Sequence, residues 1–292
     1  MKKMVKLILT VAFAGLFTFK SYSQDDANKA IELYNQTVQA IEANDYATAI
    51  VKAKEAYAIA KTAEGAEETK ANLEKLLPKL YLQKAKSDLS SDKFDEALEG
   101  FKQAEAEAKK FNDAETLEES SKSSIKVYLQ QGNKAYENND FAGAITAFDK
   151  ALAIDSANAQ VYLLKAESLR KASKNAEALT TFEKARSVAD ATGKDDISKN
   201  ATSAIVSVYT KSASEAQKNK KWAELVSTAE KILEYKPDDA TALKLSDFGN
   251  LQQGAALQQT NKAKACQFFK KVKNDAKMKE TAANSMKALG CN

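Results

Sequence analysis

Three times along this chain the element Ala-x3-Phe-x2-Ala recurs, at Ala97/Phe101/Ala104, Ala144/Phe148/Ala151 and Ala178/Phe182/Ala185. About 0.3 accidental matches are expected at this composition, so the recurrence constrains the fold. Looser copies stand at Ala49/Ala53/Ala56, Leu225/Ala229/Ile232 and Ala265/Phe269/Val272. In most copies an aromatic precedes the first position by three residues, as Tyr46, Phe94, Phe141 and Trp222 do. Spacings of three and four place these side chains on one helical face. The small residue admits a neighbouring helix, the aromatic fills the gap beside it, and the second small residue meets the next helix.

Composition points the same way. Two prolines and nine glycines in 292 residues cannot punctuate a many-stranded protein. Alanine is abundant, and Lys, Glu and Asp make up nearly all of the 29% charged fraction, which suits helices. The expectation is an all-α fold of about six stacked, antiparallel helix pairs.

The stretch from residue 125 to residue 186 carries the pattern in register. Tyr128, Gly132, Ala144, Phe148 and Ala151 are followed 34 residues later by Tyr162, Ala166, Ala178, Phe182 and Ala185. In these two units the chain resembles the tetratricopeptide repeat (TPR) family. The resemblance implies a right-handed solenoid that binds protein partners on a concave surface lined by first helices.

Between copies the leading positions are 48, 47, 34, 47 and 40 residues apart, so only one interval has the family's standard length. The extra residues are helical in pattern, which predicts elongated helices of about two extra turns each, with a kink near Leu77 caused by Pro78. Turns are expected at Asn44-Asp45, Ser91-Asp92, Asn139-Asp140 and Lys174-Asn175, where Asp or Asn can accept from free N–H groups of the next helix. Nothing reads as a long linker, so residues 24–292 are expected to form a single solenoid domain, closed by a capping helix from Ala276 to Leu289.

The N-terminus has the layout of a secretory signal peptide. Lys2, Lys3 and Lys6 precede an apolar stretch from Leu7 to Phe19, and Ser21-Tyr22-Ser23 offers a cleavage site. Export to a bacterial periplasm is expected, and without a cysteine near the site a lipid anchor is not. Without residues 1–23 the basic and acidic side chains balance at 40 each, unevenly placed: residues 24–119 hold 13 basic and 21 acidic groups, residues 120–292 hold 27 and 19. The basic residues are almost all Lys, which does not suggest nucleic acid, and nothing in the mature chain suggests membrane insertion.

The chain has no histidine. That removes Ser-His-Asp and Cys-His catalysis and His-ligated zinc, iron and haem. No cofactor, metal site or catalytic set is expected. Partner-binding candidates on first helices are Asn133, Tyr136 and Glu137 in one unit and Glu167, Arg170 and Lys171 in the next. Asn133 matches the Asn of the family's carboxylate clamp, but Leu129 stands where its Lys belongs, so that clamp is not expected. Trp222 and its equivalents read as core packing. Two fates are open for Cys266 and Cys291: a disulfide, or a buried thiol and a free terminal one. A tight turn near Asn274 would leave them misaligned, unless Gly290 reverses the chain. From Lys262 to Lys287 eight lysines face Asp275 and Glu280, a surface for an acidic partner, an anionic membrane surface or self-association. These features together favour a non-catalytic scaffold over the alternative, a small-ligand or glycan-binding protein using Tyr136, Tyr162 and Tyr209.

Overall fold

The computed structural model describes residues 21–291, and the signal-peptide expectation for residues 1–23 lies outside the residues whose side chains are described. Every regular element among the described residues is an α-helix. They run α1 (Ser21–Glu42), α2 (Tyr46–Ala60), α3 (Glu67–Ser90), α4 (Phe94–Phe111), α5 (Ala114–Glu137), α6 (Phe141–Ile154) and α7 (Ala159–Lys171). Then follow α8 (Asn175–Ala191), α9 (Asp195–Lys218), α10 (Trp222–Tyr235), α11 (Ala240–Leu257), α12 (Lys262–Phe269) and α13 (Ala276–Leu289). They gather into two compact units that divide between Val127 and Tyr128, inside α5.

In each unit consecutive helices pair across short turns and pack on their chain neighbours, α1 on α2 through α3 on α4 in the first, α7 on α8 through α12 on α13 in the second. All eighteen repeat positions are buried, none more than 4% exposed. The phenylalanines fill the space between helices: Phe101 and Phe182 are wholly buried, and Phe148 and Phe269 are 1% exposed. In five of the six units a small residue stands twelve positions ahead of the first repeat residue, and in the sixth Gln253 does. Thr37, Ala85, Ala166 and Ala213 are all fully buried there. Gly132 is the fifth, and a Cβ on it would come within 2.8 Å of the Phe148 ring. Large-beside-small pairing is what lets the hairpins close at native density.

The elongation falls mainly on the first helices. α3, α5 and α9 have 24 residues each, against 13 in α7, the first helix of the standard-length unit. That is about three extra turns on one helix of the pair rather than two on both. α3 runs unbroken through Pro78, which is itself buried. The pattern also hid a break: α4 ends at Asn112, whose φ of 56° is left-handed, and the Asp113 carboxylate accepts from the Thr116 N–H at 3.0 Å to start α5.

Two of the four anticipated caps form as expected: Asp45 accepts from Thr48 N and Asp140 from Gly143 N. At the other two turns Lys93 and Lys174 occupy the N-cap and make no side-chain cap bond. Asp92 and Ser173 are in the left-handed region there, at φ 57° and 62°, as Asn44 and Asn139 are at the two capped turns, so the same backbone reversal serves all four. Short polar side chains tolerate that conformation, so the turn survives without its carboxylate cap.

The anticipated final helix, α13, is present. It is anchored at its start by Asp247 of α11, which is fully buried. The Asp247 carboxylate accepts the backbone N–H groups of Lys273 (3.0 Å), Asn274 (2.6 Å) and Asp275 (2.7 Å), and Nδ2 of Asn274 (3.1 Å). Near its end a disulfide joins Cys266 to Cys291, with Cα atoms 5.8 Å apart. The misalignment of a tight turn does not arise, because residues 270–275 form a six-residue connection and Gly290, at φ 68°, turns the chain back.

Candidate functional site

Asn133, Tyr136 and Glu137 lie in the last two turns of α5, with Asn133 and Glu137 exposed and Tyr136 half-buried. The Tyr136 ring meets Phe141 of α6 edge to face, with centroids 5.5 Å apart. Glu167 and Arg170 form a partly buried pair on α7, with Nη2 and Nε of the guanidinium donating to Oε2 at 2.6 and 2.9 Å. Lys171 ends the same helix and is exposed. Tyr136 braces the α5–α6 turn, and the ion pair, both of whose members lie on α7, stiffens that helix by a modest amount at this exposure.

Tyr209, one of the three tyrosines of the small-ligand alternative, belongs to a seam between hairpins. Its ring stacks on Tyr235 of α10 with centroids 6.4 Å apart. The Tyr235 hydroxyl donates to Oε1 of Glu183 on α8 at 2.8 Å, and the Arg186 guanidinium lies 5.0 Å from its ring centroid. Burial, then the hydrogen bond and negative charge of Glu183, push the Tyr235 phenol up to about 12. Tyr209 is raised as well, by burial first and the Glu183 charge second. The other unit repeats the device. Tyr57 of α2 donates to Glu74 of α3 at 3.1 Å, meets Phe111 of α4 edge to face, and has the Lys110 ammonium 5.1 Å from its centroid. Burial leads in raising this phenol too, followed by its hydrogen bond to Glu74. A phenol, a carboxylate and a cation thus fasten successive hairpins in both units. Tyr162 packs beside Val188 and Ala189.

One surface feature was not read from the sequence. A groove of about 470 Å³ opens between the first turn of α10, the end of α11 and the face of α12. Trp222, Ala223, Ala256, Leu257 and Phe268 give it apolar walls, and Gln253, Gln267 and Lys264 add polar groups. Trp222 packs edge to face on Phe248 at 5.5 Å, so its ring joins the core while its open side faces the groove. The sequence signal was there, a lone Trp among lysines, but equivalence with Tyr46, Phe94 and Phe141 pointed to packing alone. All four are half-buried.

Among the described residues no three His, Cys, Asp or Glu side chains gather as a metal site requires, and no helix is long and apolar enough to cross a membrane.

No family model and no curated protein matches the sequence. Among solved structures the chain is similar to MamA protein, at 15% identity and a TM-score of 0.31, over 71% of this chain and 94% of that one. It is similar to YrrB, described as a TPR protein with an unusual peptide-binding site, at 19% identity and 0.30, over 70% and 91%. A third is the C-terminal part of a TPR repeat-containing protein from Cytophaga hutchinsonii, at 14% identity and 0.29, over 87% and 99%. Scores this low leave the fold to rest on the chain's own helices. Those helices, paired in sequence order with their Ala and Phe positions buried in register, make this an all-α protein of tetratricopeptide-like hairpins.

Proposed function

We propose that this protein is a non-catalytic scaffold, exported to the bacterial cell envelope, that binds other proteins through surface residues of its first helices. The observation that carries this reading is the complete burial of the repeat positions. The residues that recur build the hairpins, and the residues that vary from unit to unit are left to the surface, where a partner would meet them. The leader-like N-terminus supports export, as does the Cys266–Cys291 bond, since disulfides persist in oxidising compartments. The tyrosines that motivate a small-ligand reading each have protein neighbours around their rings, which favours the scaffold.

The test is affinity capture from cell envelopes with tagged residues 24–292, beside a variant carrying Tyr136→Ala and Arg170→Glu. Both positions are only half-buried, so the variant should keep its helical content and lose less than about 2 kcal/mol of stability. A defined protein retained by the wild type and lost by the variant is the expected result. Turnover of a substrate by the purified chain, or a glycan raising its melting temperature with no protein captured, would contradict it.

A further inference from the structure

The groove beside Trp222 has a lysine in its lining and two more close to it in sequence. Lys221 stands ahead of Trp222 as Lys93 and Lys174 stand ahead of two earlier second helices, so the charge that marks this groove comes from lysines beyond the turn itself. Lys264 lines the groove, and Lys220 and Lys262 are exposed two residues from lining residues. Lys221 pairs with Glu224 at 3.1 Å, whereas Lys220, Lys262 and Lys264 have no ion pair among the described residues. A cationic rim around an apolar floor favours a partner with carboxylates flanking a large apolar side chain and disfavours a basic one. The amides of Gln253 and Gln267 each donate and accept, as an extended peptide backbone requires.

We propose that this groove binds an acidic extended segment of a partner protein, with one large apolar side chain seated against Trp222, Leu257 and Phe268 and its flanking carboxylates at Lys220, Lys262 and Lys264. The inference rests on the scaffold reading and supplies a partner chemistry for one surface. A space of about 470 Å³ suits an anchor residue and its immediate neighbours, not a folded domain.

Trp222 is the only tryptophan in the chain, so its emission reports on the groove directly. The probes are three synthetic nonapeptides: Phe flanked on each side by four Glu, the same peptide with Ala for Phe, and the same with Lys for Glu. The first should shift the Trp222 emission saturably, and its affinity should fall at least tenfold in a Lys220→Glu, Lys264→Glu variant and again on raising the salt. Both lysines are exposed, and the variant's melting temperature should match the wild type. Ala223→Leu, a filled groove at an exposed position, should abolish the shift. No response to the acidic Phe peptide, or equal responses to all three, overturns the proposal. So does an emission change that follows protein concentration alone, which would give the groove to a second copy of the chain. Partner capture lost on changing Tyr136 and Arg170 is scored separately, so failure here removes the groove and leaves the scaffold standing.

Discussion

At the residue scale, the fold depends on pairs in which one side chain is large because its neighbour is small. Phe182 is wholly buried against Ala166 and Ala178, and Phe182→Ala should cost about 3–5 kcal/mol, read as a lower urea midpoint at unchanged slope. Gly132→Ala tests the other partner. Alanine is the better helix former by up to about 1 kcal/mol, but its Cβ would press on the buried Phe148 ring. Net destabilisation of about 1–2 kcal/mol is expected, and a stabilised variant would contradict the packing described. Tyr235 makes a pH-dependent contribution. Its phenol is raised from 10 to about 12 in the folded state, so the neutral form is favoured by folding. That stability is present below pH 10 and is lost as pH rises through 12. Glu183→Gln removes the adjacent negative charge, so ultraviolet titration should show the Tyr235 phenolate forming at lower pH and a shallower loss of stability in that window.

At the element scale, α13 is held at its ends more than along its length. Ala282 is its one buried residue among those described, with Asp247 at its start and the disulfide beyond its end. Reduction, or Cys291→Ser, should cost about 3–4 kcal/mol for a loop of this size and speed amide exchange in α13 on the order of a hundredfold, while α7 and α8 keep their protection. Asp247→Ala should loosen the same helix by leaving three backbone N–H groups without their acceptor. This anchor was illegible in the sequence, because its partners are main-chain groups 26 to 28 residues away. The hairpins were legible because Ala, Phe and Ala recur at helical spacing in three units and small or apolar residues hold the same positions in the other three, and the caps at Asp45 and Asp140 because their chemistry is local. At the turns of Lys93 and Lys174 the polar residues Asp92 and Asn175 fall one position to either side of the N-cap, so neither supplies the expected cap. The two candidate groups on α5 and α7 were readable as surface positions from their phase. The groove was not, since it depends on where the ends of α10, α11 and α12 meet.

At the scale of the whole molecule, short-range packing within two compact units means that stability is distributed along the chain. Thermal unfolding should therefore depart from a single two-state transition, with a calorimetric enthalpy above the van't Hoff value, and Phe101→Ala should lower the melting of the first unit alone. On the proposed function, the surface of these hairpins that varies from unit to unit is what meets a partner. Site-specific photocrosslinking in intact cells tests it most directly, with the reactive group at Asn133, Lys171 or, as exposed second-helix controls, Lys184 and Glu230. A discrete adduct with another protein is expected from Asn133 and Lys171, and a weaker one or none from the controls. Adducts absent from every position, or formed equally from all four, would contradict it.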